Sequence, residues 1–377
     1  MIEAFAAHLP VRIRFGEGVT ALIPELVVGR RALALVEQPV LAIPAVAAAV
    51  AGLEVFCKPP GEPTFATIEE AAQRVSEARP EVIVAIGGGS ALDLAKAARL
   101  VAGQGEPFRR FVAGEVAVRS PQVDLITVPT TSGTGSEVSG GAVVTDSEGK
   151  RKLGAAHPLM RAQDALVDPL LTLGLPSEAT AWTGADALAQ AIGAVIVSNG
   201  NVLSVAIGLE SCRHIAAGLA AAVADGGNRD ARAEMSLGSL LAGLAMNLSD
   251  SGADHALGHS IGATLGLPHG LTVGLMLAET LEVNRPQCAD RLERVADALD
   301  EPEDGSGDGS RAIRAVRRLL AEIGLPTLRE VGVEESHLER LVELSLADYC
   351  LTVNPRVWTE ADVRRAYADA LALDLRQ

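Results

Sequence analysis

Aromatic side chains are scarce, at 3% of 377 residues, so the 48% of hydrophobic residues must fill the interior mainly with aliphatic groups. Ala-rich runs such as Ala45–Ala51 read as closely packed helices. Basic residues are outnumbered, 32 against 48 acidic, and the net charge of -16 is accompanied by no basic run. That excludes the clustered lysines and arginines that hold a nucleic-acid backbone or an anionic membrane surface, and leaves solubility as the role of the charge. Cysteine is sparse: Cys57, Cys212, Cys288 and Cys350 form no CxxC pair and no disulfide framework, so they read as buried thiols in a reducing compartment. The N-terminus lacks the basic start and apolar core of a signal peptide, and no apolar run reads as long enough to span a bilayer. A cytoplasmic protein without nucleic-acid or membrane partners is expected.

The length suits two lobes with a ligand-binding cleft between them. In the first part, Ala32–Val36, Leu53–Cys57, Glu81–Ile86 and Asp124–Val128 read as strands alternating with helical patterns, which implies a mostly parallel sheet covered on both faces. Thr67 and Glu70 have the S/T-x-x-E spacing of a capping box and predict a helix start there. From Pro176 onward strand signals fade and Ala/Leu-rich helical patterns begin at Ser177. The expected fold is an α/β Rossmann-like domain over residues 1–176 and an all-α domain over 177–377. Glu301–Ser310, EPEDGSGDGS, reads as a solvated loop, and no solenoid repeat is present.

The strand ending at Ile86 runs into Gly87-Gly88-Gly89-Ser90-Ala91-Leu92-Asp93 and then a helical pattern. Such a turn presents free backbone N–H groups at a helix N-terminus, a seat for a pyrophosphate. It is neither a G-x-G-x-x-G fingerprint nor a Walker loop, and a tight turn requiring small residues reads the same way. Asp93 lies in the first helical turn, where it serves equally as a dipole partner. A second small-residue run, Pro129 to Glu137, contains Thr130, Thr131, Ser132, Thr134 and Ser136 and also follows a strand; open α/β sheets bind ligands at that end. Glu37 ends another strand, where a carboxylate can accept from ribose hydroxyls and repel a 2′-phosphate, favouring NAD over NADP.

Three of the seven histidines, His255, His259 and His269, fall in one short window. His255 and His259 share a helix face, and Pro268 and Gly270 bracket His269 on a connection that can fold back toward it. Such concentration points to a metal. The window lacks a well-aimed carboxylate, because Asp254 points away from its neighbour. Asp186, read as opening a helix, is the external candidate, with Gln190 one turn later on its face.

These segments together resemble the iron-containing (group III) alcohol dehydrogenase family along nearly the whole chain. The likeness takes in Phe15-Gly16-Glu17-Gly18, Pro60 to Thr64, Gly87 to Ser90 with Asp93 and Lys96, and Pro129 to Glu137. Lys152, Asp168-Pro169, the His255 to Gly270 segment and Asn354-Pro355-Arg356 complete it. The resemblance implies the dehydroquinate synthase-like fold, a dinucleotide held by the Gly87 turn and Thr130-Thr131 with Lys152 nearby, and a homodimer. Asp186, His255 and His269 fall on the family's metal ligands, and His259 on a histidine beside the site that either relays a proton or only hydrogen-bonds. The remaining ligand position, usually histidine, is Gln190, which either coordinates weakly, works through water, or does not bind. The glycerol dehydrogenase branch resembles this case and keeps a three-ligand zinc site, so iron and zinc both stand as the divalent metal.

The implied reaction is hydride transfer between NAD(H) and a small alcohol or aldehyde polarised by that metal. Three rivals stand beside it: a dehydroquinate synthase-like lyase, a non-catalytic protein that lost its metal, and a metal-independent maleylacetate-type reductase. Arg161 and His157 replace the family's usual smaller or apolar residues; Arg161 is either a surface arginine or a holder of an anionic substrate group such as a carboxylate or phosphonate.

Overall fold

The computed structural model describes residues 4–146, 149 and 151–372, so the outermost ends of the two expected domains, 1–3 and 373–377, lie outside the described residues. The chain divides into two compact units. One comprises Leu9–Thr131 with Gly135–Gly174; the other comprises the chain from Leu175 onward and takes in Ser132–Thr134.

The first unit is built on a six-stranded parallel sheet. In chain order its strands are β1 (Arg12–Phe15), β2 (Ala32–Glu37), β3 (Glu54–Lys58), β4 (Val82–Gly87), β5 (Asp124–Pro129) and, after the antiparallel pair β6 (Gly141–Asp146) and β7 (Arg151–Ala156), β8 (Asp164–Val167). The spatial order is β1-β8-β5-β4-β2-β3. The helices are α1 (Ile23–Val27), α2 (Pro44–Ala49), α3 (Phe65–Ala78), α4 (Gly89–Gln104) and α5 (Phe108–Val112). The central strand β4 is buried along its length, and its alternate residues enter two separate cores: Ile83 and Ala85 pack with α3 and α4, Val82, Val84 and Ile86 with α1 and α2. A strand buried on both faces reads as an unbroken aliphatic run, which is why the sequence marks it so clearly. Each such valine or isoleucine contributes about 1.5–3 kcal/mol of burial.

The start of α3 corrects the expected cap. Thr64, extended at φ -107° and ψ 165°, caps the helix one turn earlier: its hydroxyl accepts from the Thr67 amide, and the Thr67 hydroxyl accepts from the Thr64 amide. A threonine hydroxyl thus performs the return bond that the Thr67–Glu70 reading assigned to a glutamate, and Glu70 is exposed.

The second unit is helical: α6 (Ser177–Ile196), α7 (Val202–Ala224), α8 (Arg229–Met246), α9 (Ala253–Leu265), α10 (His269–Ala298), α11 (Ser310–Glu322), α12 (Leu338–Leu346) and α13 (Glu360–Ala372). Pro176 caps α6, and residues 301–309 form the loop expected before α11. Helix α7 corrects the expectation about membrane spans, because by length and composition it is apolar enough to cross a bilayer. It packs against α6 and α8 through Gly208, Cys212, Ile215 and Gly218, and it carries Glu210 and Arg213 on its exposed side, as a core helix does.

Candidate active site

Asp186 lies in the middle of α6, not at its opening, and is 1% exposed; Gln190, one turn on, is 3% exposed. A first-turn, solvent-facing acid is therefore excluded. His255 occupies the first turn of α9 and His259 the next, while His269 is the first residue of α10, capped by Pro268 rather than lying in an open connection. Missing side chains let these helices meet. A Cβ on Gly270 would lie 2.2 Å from the Trp182 carbonyl oxygen of α6, one on Gly258 2.8 Å from Val273 of α10, and one on Gly274 2.8 Å from the Ala185 Cβ. Asn354 fixes the entrance to α9, its side-chain oxygen accepting from the Ala253 amide and from Asn284.

The result is a converging donor set. Asp186 Oδ1 is 3.5 Å from both His255 Nε2 and His269 Nε2, and all three ligand atoms lie within 4.8 Å of one another. Asp186 Oδ1, His255 Nε2 and Gln190 Oε1 are buried without a hydrogen-bond partner, while Gln190 Nε2 donates to the Thr134 carbonyl at 3.4 Å. Buried polar atoms are ordinarily paired, so several orphans in one place call for an occupant. Burial drives the His255 pKa down, but Asp254 and Asp186 outweigh it and raise the pKa to about 10. Burial likewise raises the Asp186 pKa, yet His269 and His255 together hold it below the usual carboxylate value. The cluster stabilises positive charge, and one carboxylate with two imidazoles fits a divalent metal.

Two supporting carboxylates escaped the sequence reading. Asp254 Oδ2 lies 3.4 Å from His255 Nδ1, an approach of charge to ring without a hydrogen bond, on the side of the histidine away from Asp186. Asp348 Oδ2 meets His259 Nδ1 at 2.8 Å, while Asp348 Oδ1 accepts from the Cys350 amide. The His259 ring stacks on His269 with centroids 5.2 Å apart, and its side chain is 26% exposed. His259, Asp348 and Cys350 bring a second set of donor atoms within 4.8 Å, but the imidazole–carboxylate hydrogen bond already satisfies two of them. An acid one position before a histidine, and one at a 3-10 helix N-cap, were the available signals.

The sheet unit gathers part of the expected dinucleotide set at the carboxyl ends of β2, β4 and β5. Gly87 has φ 154°, and a Cβ there would lie 2.7 Å from Ala91 and 2.9 Å from Glu37. Gly88 caps α4 and its amide donates to Glu37 Oε2, while Thr131 packs beside it and the Thr130 amide donates to the Gly87 carbonyl. No side chain caps α4, and its first amides, at Gly89 and Ser90, have no partner within the helix. Glu37 also lies 3.5 Å from Lys58, so its carboxylate supports the turn. Asp93 is engaged by Ser136, the Val143 amide and Lys96, tying the second small-residue run to α4. Lys152 pairs with Glu62 on the β6–β7 side. Ser132 and Thr134 belong to the helical unit, where Ser132 Oγ meets Ser236 Oγ. His157 caps the short turn at Leu159, and the half-buried Arg161 has its Cγ 3.4 Å from where a Gly140 Cβ would stand.

Residues 10–169 match the family described as iron-containing alcohol dehydrogenase, and residues 180–371 match the C-terminal domain of the Fe-containing alcohol dehydrogenase family. The chain is 35% identical over 313 residues to the probable alcohol dehydrogenase EutG of Escherichia coli, covering 83% of this chain and 78% of that protein. It is 32% identical over 327 residues to the NAD-dependent methanol dehydrogenase of Bacillus methanolicus, covering 85% and 86%. The alcohol dehydrogenase of Oenococcus oeni superposes with a TM-score of 0.91 at 27% identity, over 97% of this chain and all of that one. With the donor cluster on the helical unit and the glycine turn on the parallel sheet, the chain belongs to the iron-containing alcohol dehydrogenase family. It is an oxidoreductase that moves a hydride between a nicotinamide cofactor and an alcohol–aldehyde pair.

Proposed function

We propose that Asp186, His255 and His269 hold the divalent metal, iron or zinc, of an NAD-dependent alcohol dehydrogenase acting on a small alcohol, aldehyde or ketone. The orphaned buried atoms Asp186 Oδ1 and His255 Nε2, with His269 Nε2 at the same distance from the carboxylate, carry this reading. When bound, the metal supplies Lewis acidity that eases loss of the alcohol proton, and NAD supplies the hydride acceptor. The Asp254 carboxylate sets negative charge beside His255 Nδ1 while Nε2 faces Asp186. Asp348 holds His259 through Nδ1, and His259, partly exposed beside the cluster, passes the proton to solvent. Gly87, Gly88, Gly89 and Ser90 seat the pyrophosphate at the α4 N-terminus, with Thr130 and Thr131 beside them.

Glu37 places negative charge next to that turn, which supports NAD over NADP. The four cysteines are free, which supports a reducing, cytoplasmic setting, although only Cys212 and Cys288 are buried as expected, Cys350 being partly exposed and Cys57 exposed. Family likeness supports a homodimer. Purified protein screened with short alcohols, polyols, aldehydes and anionic aldehydes, while NADH absorbance is followed, tests the reading. Net NADH turnover that a strong chelator abolishes is expected. Turnover that persists in chelator sinks the metal assignment in favour of a metal-independent reductase, and absence of net NADH change on all substrates favours a lyase.

A further inference from the structure

Gln190 is the member of the cluster whose role the three-ligand site does not settle. Its side chain is almost completely enclosed, its amide nitrogen donates to the Thr134 carbonyl, and its oxygen has no partner. An amide has two ends, and a backbone carbonyl can accept only from the nitrogen. Thr134 thereby selects the orientation and leaves the oxygen facing away from itself. Asp186 lies one turn earlier on the same face of α6, which sets Gln190 beside the cluster that Asp186 forms with His255 and His269.

We propose that Gln190 is the fourth protein ligand of the metal, donating its amide oxygen, and that this neutral oxygen leaves the ion exchangeable and narrows the preference for zinc over harder cations such as manganese. The proposal rests on the reading that Asp186, His255 and His269 bind a divalent metal. The chemistry follows from the donor set: a neutral carbonyl oxygen is a weaker donor to zinc than imidazole, whereas oxygen ligands suit manganese and magnesium. Two oxygen and two nitrogen donors therefore discriminate less steeply than one oxygen and three nitrogens.

Cobalt(II) reports the coordination directly through its visible absorption, independent of turnover, and competition with a chelator gives its affinity. The measurements compare the wild-type chain with Gln190→Met, which keeps length but removes the oxygen, Gln190→His and Asp186→Ala. The expected results are an altered cobalt spectrum and affinity lower by about tenfold or more in Gln190→Met. Gln190→His should bind cobalt about tenfold or more tightly and widen the zinc-over-manganese preference. An unchanged spectrum and affinity in a folded Gln190→Met overturns the proposal, as does an unchanged zinc-over-manganese preference in Gln190→His, which needs no result from the Met variant. If Asp186→Ala binds cobalt like the wild type, the three-ligand reading itself has failed. If Asp186→Ala loses cobalt while Gln190→Met matches the wild type, only the role given to Gln190 is wrong.

Discussion

Replacing Gly270 by alanine puts one methyl group against backbone at a tight contact beside the metal-ligand cluster. Its Cβ would stand 2.2 Å from the Trp182 carbonyl oxygen, 2.8 Å from the carbonyl carbon and 3.2 Å from the Asp186 Cβ. The first two contacts are with backbone, which cannot rotate aside, so the start of α10 must retreat by about 1 Å. Overpacking of this kind costs about 1–3 kcal/mol. The functional loss is larger in proportion, because His269 is the adjacent residue and metal–ligand distances tolerate only about 0.2 Å. Gly103→Ala is the control: it sits in the last turn of α4 with nothing within 4 Å, where alanine gains at most about 0.5–1 kcal/mol. Gly270→Ala should therefore lose both urea-unfolding midpoint and bound zinc or cobalt, while Gly103→Ala keeps its metal with equal or higher stability. A Gly270→Ala protein with wild-type midpoint and metal content would refute the packing argument.

Thr64→Ala removes the true N-cap of α3 and should cost about 1 kcal/mol in chemical denaturation, while Glu70→Ala should cost little. Asp164 is pushed up by burial but pulled further down by hydrogen bonds from Arg12 and Arg14, so its folded pKa lies below its unfolded value. Its contribution is present above the ordinary carboxylate range and lost as pH falls through the folded pKa; acid unfolding of Asp164→Asn should accordingly be less steep, and an unchanged acid limb would contradict the assignment. Glu37→Gln keeps the shape of the Gly88 contact while removing charge, so the ratio of kcat/KM for NADH to that for NADPH should fall; a constant ratio would show that Glu37 does not choose the cofactor.

The strands β2 to β5 were legible because each is an aliphatic run with turn residues at its end, and the donors Asp186, His255 and His269 were legible from their residue types. Strands β1 and β8 were not, since each has only four residues and β1 alternates arginine with apolar side chains at the sheet edge. The β6–β7 strands are as long as β2, but GAVVTD and RKLGAA mix small and charged residues and form no aliphatic run. What the sequence concealed at the site is support rather than ligands. Asp348 meets His259 across 89 residues of chain, a separation no local pattern spans. Asp254 stays outside the donor set, as its helix position implied, but its charge lies 3.4 Å from His255 Nδ1. Asp186 was misplaced within its helix because flanking small residues resemble a helix start, whereas here Gly184 makes room for Leu219 of α7 and Ala185 meets Gly274 of α10.

The central claim is that alcohol oxidation depends on a metal held by Asp186, His255 and His269. Metal should be stripped with a chelator and zinc or ferrous iron titrated back, with bound metal and NADH formation followed together. The account predicts that activity returns in proportion to bound metal, saturates at about one equivalent per chain, and does not return in Asp186→Ala. Full activity in the stripped protein, or equal recovery in Asp186→Ala, would contradict it.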